Sequence, residues 1–296
     1  MQTAHHHSPG RVGDLPAAAK LRLVNGDRAM PDWFISWLDA LSAIQQALFF
    51  CALFIGITWL GIFLIHPLLR RLLHGDAPSN EVIIHSAGTF GLFYAVLLGL
   101  LTIATFQSTK DLVDTVGREA SGLSTLYRTA DGYPDPLRSE LKAQLRDYTR
   151  YVIDKDWPAH RRGRVLMGGE HRLQVVRATL LSFEPATKTQ ELLHTEMLRY
   201  LDAMTVSREQ RLATVSASIP GVLWYIVVIG ACITIAFVWM LHMELKSQIL
   251  LSGITAFFLG ILIFLIYALD RPLEGVVSVS PSPFGSVYDM VMKWDE

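Results

Sequence analysis

The sequence predicts an all-α integral membrane protein: four transmembrane helices, two plus two, with an extramembrane helical bundle inserted between the pairs. Three observations predict it. Four stretches of roughly 20 or more mostly apolar residues contain no Asp, Glu, Lys or Arg. A long polar stretch, residues 107–218, separates the second from the third. Charged residues make up only 18% of the chain and mean hydropathy is +0.33, against about 25% charged residues in an ordinary soluble domain.

The first span is expected from Ala43 to Ile65 and the second from Val82 to Phe106. The third is expected from Ile219 to Leu241 and the fourth from Ile249 to Leu269. A helix rises about 1.5 Å per residue, so each can cross a hydrocarbon core of roughly 30 Å. A single charged residue at mid-membrane costs about 2.5–3.5 kcal/mol, which gives the clean composition of all four its weight. His66, Pro67, Arg70 and Arg71 are expected to end the first. Upstream, Trp33, Phe34, Trp37, Leu38 and Leu41 recur at helical spacing and predict a short interfacial helix at the end of a mobile tail, residues 1–42. The first apolar block lies too far from the start to be a cleavable signal peptide.

Small residues recur every four positions in two spans. Ala87, Gly91, Ala95 and Gly99 form a ridge in the second, and Ser252, Ala256 and Gly260 one in the fourth. Such ridges let helices approach closely in lipid; packing within one subunit is the expected use of both, and contact between subunits is the alternative.

In residues 107–218, 17 Lys and Arg face 15 Asp and Glu, which leaves no charge bias toward nucleic acid. Apolar residues at helical spacing and breaks at Gly132-Tyr133-Pro134, Gly168-Gly169 and Glu184-Pro185 predict about four packed helices. No terminator separates Phe106 from Lys110, so the second span is expected to continue into the bundle. A similar continuity is expected across Pro220, which the first turn of a helix tolerates. Residues 270–296 read as a C-terminal tail.

Two spans on each side place the bundle and both termini on one face. That face carries Arg28, Lys110, Arg118, Arg199, Arg208, Arg211 and Arg271 near the spans, against Arg70, Arg71 and Lys246 opposite, so it is read as cytoplasmic.

No catalytic motif is visible: no phosphate loop, no His-Glu-x-x-His, no Cys-x-x-Cys and no nucleophile elbow. No enzyme activity, cofactor or metal site is predicted. Cys51 and Cys232 read as inert thiols buried in the membrane, and His5-His6-His7 is too short for a metal site. His85, near the start of the second span, reads as an interfacial ring, and His160-Arg161-Arg162-Arg164 as a solvated basic loop. Thr102, Thr105, Ser108 and Thr109 either line a wet path or bond back to their own helix. The stripe Phe90, Phe93 and Tyr94 reads as a lipid-facing or core stripe.

Several stretches together resemble a bacterial family of four-span membrane proteins described as bestrophin-like. They are His85 through Gly99, with Gly91 at its centre, and the block Glu119-Ala120-Ser121-Gly122-Leu123-Ser124-Thr125-Leu126-Tyr127-Arg128. Tyr148 to Trp157 follows, then Arg208, Arg211 and Leu212 with Pro220 and Trp224. The most specific is Asp270-Arg271-Pro272-Leu273-Glu274-Gly275 with Ser280 to Phe284. The likeness covers about residues 45–285. Leu273 stands where some members carry Phe. The resemblance implies distant kinship with oligomeric anion channels. The expectation is therefore a homo-oligomeric ion channel in the bacterial cytoplasmic membrane, with ions and the lipid bilayer as partners. The alternative is a membrane-anchored sensor or scaffold whose bundle binds a partner. Asp270 or Glu119 is expected to pair with an arginine of the bundle.

Overall fold

The computed structural model describes residues 38, 41–72, 80–215, 218–274 and 278–293. Most of the interfacial helix and the N-terminal tail lie outside these, though Leu38 is fully buried against the spans. Helix α1 is Ala43–Leu72, α2 Asn80–Thr129 and α3 Leu137–Tyr151. A π-helical turn, Val152–Asp156, leads into the short α4, Trp157–His160. Then come α5 Gly168–Leu181, α6 Lys188–Val215, α7 Gly221–Met240, α8 Leu245–Asp270 and α9 Ser282–Val287. The described residues contain no strand.

Helices α1, α2, α7 and α8 each carry a window long and apolar enough to cross a membrane. The sequence places the first span's end at Ile65, and the helix α1 runs on past it to Leu72. A proline and two arginines stop apolarity before they stop the helix. Helix α1 packs along α8. Two tryptophans tie the spans together by donating to backbone carbonyls: Trp59 Nε1 to Ile249 O (3.2 Å) and Trp239 Nε1 to Thr58 O (2.9 Å). Asn80 caps the turn after α7 through both amide atoms, donating to His242 O (2.6 Å) and accepting from His242 N (2.9 Å).

Helix α2 has 50 residues, about 75 Å at 1.5 Å per residue. It leaves the apolar span without a break because residues 106–110 contain neither Gly nor Pro. Beyond the membrane it becomes amphipathic. Leu112, Val116, Leu123, Leu126 and Tyr127 are buried against α6, α3 and α9. With α3, α5 and α6 it makes the inserted bundle, whose core includes Leu141, Leu145, Val176, Leu180, Met197 and Leu201.

Two expectations fail here. The chain is not helical through Pro220: residues 218–220 lie in no helix, and α7 starts at Gly221 with Pro220 as its cap. Pro220 fits the start of a new helix but supplies no N–H to continue an old one. Nor is the C-terminal segment a tail. Leu273, Phe284 and Met292 are buried in the bundle core. Trp157 Nε1 donates to Val279 O (3.0 Å), and Arg150 Nε donates to the Tyr288 hydroxyl (2.6 Å).

Candidate functional site

The membrane part of α2 presents two unlike faces. Ile83, Tyr94, Leu98, Leu101 and Thr105 point into the protein. Tyr94 stacks on Phe90 and donates its hydroxyl to Val227 O of α7 (2.8 Å). The opposite face, with Leu92, Phe93, Val96, Leu100 and Ile103, is exposed along its length. Only 22% of the apolar window of α2 is buried within the chain, so most of it faces lipid or another molecule.

The two small-residue ridges part ways. Ser252, Ala256 and Gly260 of α8 are all buried, and a Cβ on Gly260 would stand 2.9 Å from Cys51 Cα and 3.0 Å from Phe50 O. Backbone meets backbone there. On α2, Ala87 and Gly91 are half-buried and Ala95 and Gly99 exposed, and a Cβ on Gly91 or Gly99 would meet nothing within 4 Å. At 3.6 residues per turn, a step of four residues overshoots a full turn by about 40°. The α2 ridge therefore rotates off the packed face and onto the outward one. Packing within one subunit accounts for the α8 ridge and not for Gly91 or Gly99.

Where the apolar face ends, a cleft of 510 Å³ opens between α2 and α6, lined by Gln107, Ser108, Asp111, Thr115, Arg118 and Gln210 among others. Arg118 donates to Thr115 Oγ1 (2.9 Å) and Gln107 to Asp111 (2.8 Å). Thr102, Thr105 and Thr109 bond back to their own helix. Of the two sequence readings, bonding back to the helix is the observed one for these three, while Ser108 lines the cleft.

Deeper in the bundle, charge is enclosed. Arg211 of α6 grips Glu119 of α2 with two hydrogen bonds (2.7 and 3.0 Å), and both side chains are 0% exposed. Tyr148 donates to Glu119 Oε1 (2.8 Å). The Arg211 guanidinium lies over the rings of Trp157 and Phe284 at 5.3 and 5.8 Å. Its third bond runs to His160 Nδ1 (3.0 Å). Burial, with Arg211 and Arg208 beside it, pushes the imidazole down to about 3, so His160 is neutral. Because Nδ1 accepts from Arg211, its proton sits on Nε2. Burial also opposes the charge on Arg211, but Glu119 outweighs it and holds the guanidinium firmly protonated. Burial and the neighbouring Glu119 charge keep the Tyr148 hydroxyl from ionising. Arg208 donates to Glu170 Oε2 (3.1 Å). His160 thus belongs to this core and not to a solvated loop, while Arg161, Arg162 and Arg164 stay exposed.

Other residues singled out from the sequence scatter around this core. Tyr127 is buried under Lys142 and accepts from Arg146 (3.1 Å), whereas the adjacent Arg128 is exposed. Asp270 does not bond to an arginine of the bundle. It accepts from Ile219 N (2.6 Å) and Trp224 Nε1 (3.2 Å), pinning the entry of α7 to the exit of α8. Its position at the end of α8 puts it beside the entry of α7. Arg271 pairs with Glu274 (3.1 Å), and Pro272 O accepts from Val279 N (2.8 Å). His85 is exposed on α2. Cys51 is buried, its thiol 3.7 Å from Phe257 O, while Cys232 is exposed on the surface of the chain.

The Bestrophin-like domain matches residues 52–284. No curated protein matches the chain. Among solved structures, a variant of a bacterial bestrophin homologue from Klebsiella pneumoniae is similar at TM-score 0.60 and 14% identity, covering 84% of this chain and 97% of that one. A second structure of the homologue, phased on zinc, gives TM-score 0.58 and 14% identity over 83% and 96% of the two chains. A structure described as a membrane protein gives 0.62 and 13% over 83% and 96%. At such identity these structures speak for the fold alone. The match to the family spans most of the chain, from the first span through the second, the charged core and the fourth to Phe284: the protein is a membrane protein of the bestrophin-like family.

Proposed function

We propose that the chain is one subunit of a homo-oligomeric ion channel, selective for anions, in the bacterial cytoplasmic membrane, with its helical bundle and termini on the cytoplasmic side. One observation carries this reading: α2 leaves the half-buried Gly91 open and turns Ala95, Gly99 and a line of apolar side chains away from its own chain. Small open positions on an outward helix face suit close approach by the same helix of another subunit. An apolar neck surrounded by such helices would pass ions without a charged side chain in the membrane. The polar cleft at Gln107 to Arg118 would give hydrated lining where the neck ends.

Purified protein reconstituted in liposomes tests the reading, with chloride and potassium gradients applied separately. Chloride flux that depends on the protein is expected, along with its loss in Gly91→Trp. Potassium flux alone would keep the channel and reverse its selectivity. Absence of flux from folded, inserted protein would leave the sensor or scaffold reading. The unbroken α2 favours that reading too, because it joins membrane and bundle in one rigid element.

A further inference from the structure

We propose that Asp156 is a proton-binding site whose occupancy decides whether Arg208 pairs with Glu170 or with Asp156. The proposal does not depend on whether the spans conduct ions.

The stripe that buries α3 runs Leu141, Leu145, Tyr148 and Val152, and its next position inward is Asp156. The π-helical turn over Val152–Asp156 delivers the carboxylate to the core, and such turns recur at functional sites. Asp156 is 0% exposed, yet no protein group hydrogen bonds either of its oxygens. Arg208 is 2% exposed, and its Nε and one terminal nitrogen are likewise unengaged. The two face each other across Gly169. A Cβ on that glycine would lie 2.9 Å from Asp156 Oδ2 and 2.9 Å from Arg208 Nη2, so the groups are at most twice that distance apart. A side-chain rotation of Arg208 closes the gap.

The charges around Asp156 can be counted by element. On α2, Glu119 is matched by Arg211 of α6. On α5, Glu170 takes the one engaged terminal nitrogen of Arg208. Arg172 of α5 is held by Asp147 (2.7 Å) and stacked on Tyr151. His160, one turn on from Asp156, is neutral and Tyr148 is un-ionised. An ionised Asp156 and Glu119 are therefore two buried negative charges against Arg211 and Arg208, and with Arg208 drawn to the part-exposed Glu170 an ionised Asp156 has no cation bonded to it. An unpaired buried carboxylate is far costlier than a protonated one. The local balance agrees: burial raises the affinity of Asp156 for its proton, and Arg211 and Arg208 only partly offset it.

Two pairings follow. With Asp156 protonated, Arg208 bonds Glu170, the arrangement observed. With Asp156 ionised, Arg208 swings to it and releases Glu170 at the start of α5. The folded state binds this proton more tightly than the unfolded chain. Asp156 therefore stabilises the fold below the ordinary carboxylate range, and that contribution is lost as pH rises through its folded value. His160 acts oppositely, since its proton is refused by the fold, so total stability against pH cannot isolate Asp156.

The test is infrared spectroscopy of the full chain in lipid nanodiscs across a pH series, following the protonated-carboxyl carbonyl band. A band that persists above the pH at which free carboxylates ionise, and that vanishes in Asp156→Asn, is expected. In Arg208→Gln its midpoint should move to higher pH, because a cation that favours ionisation is gone. Hydrogen exchange at Gly168 to Glu170 should speed up above the midpoint in the wild type only. Absence of the band in the wild type would overturn the proposal, as would a band unchanged in Asp156→Asn. A bridging water that keeps Asp156 ionised would give the first of these results. An unmoved or lowered midpoint in Arg208→Gln would overturn the pairing even if Asp156→Asn failed to fold.

Discussion

The helical bundle and the membrane half bury their side chains on different terms. The bundle closes on itself: Trp157, Tyr148, Leu123, Leu141 and Phe284 are all essentially inaccessible, and even an ion pair is sealed inside. The membrane half does not close. Its four apolar windows are only 22–33% buried within the chain. The difference follows from the solvent. Water drives the bundle's apolar faces together, whereas lipid is as apolar as the side chains and leaves only close packing to join helices. One half is thus complete as a single chain, and the other presents faces whose covering lies outside it.

Arg211→Met strikes the closed half hardest. It leaves Glu119 and the Tyr148 hydroxyl inside a dry core without their cation, and removing one partner of a buried pair costs about 3–5 kcal/mol. Thermal unfolding of the purified protein in detergent, followed by the far-UV helix signal, should fall well below that of the wild type. If it did not, the bundle would be wetter than its geometry says and the contrast would weaken.

Gly260→Ala probes a place where backbone meets backbone in the membrane half as tightly as anywhere in the bundle core. The new Cβ would press on the Cys51 Cα and Phe50 carbonyl, backbone atoms that cannot rotate away. Forcing α1 and α8 apart should cost about 1–3 kcal/mol, the range for overpacking a filled core. The same unfolding measurement detects it. An unchanged midpoint would mean that α1 and α8 slide freely in the membrane.

Much of this contrast can be read in the sequence, and its gaps have physical causes. The four spans stand out because charge is excluded from them, and the continuity of α2 because residues 106–110 hold no breaker. Glu119 stands out through the motif around it, but its partner Arg211 is 92 residues away and no local pattern joins them. His160 looks like one more member of a basic run, because only the fold turns it inward and leaves Arg161 and Arg162 outside. Asp156 could have been noticed: it interrupts an apolar stripe at a position due to be buried. The C-terminal segment was hidden because a Ser-Pro-Ser-Pro stretch reads as loop, and Phe284 and Met292 are too few to show a periodicity. The two ridges were indistinguishable as patterns, since spacing gives a ridge and not the neighbour that covers it.

Gly99→Leu separates the two ridges with the smallest effect on the single chain. Nothing lies within 4 Å of the new Cβ, so the subunit has no contact to lose and none to strain. Its unfolding should stay within about 0.5 kcal/mol of the wild type, and leucine suits both the helix and the lipid. Mass measurement of the detergent-solubilised protein should nonetheless change. If the outward face of α2 meets the same face of another copy, a leucine there holds the helices apart and smaller species replace the oligomer. An oligomer of unchanged mass and stability would assign that face to lipid. The channel reading would then need another wall for its pore, while the sealed bundle and its buried charges would stand as described.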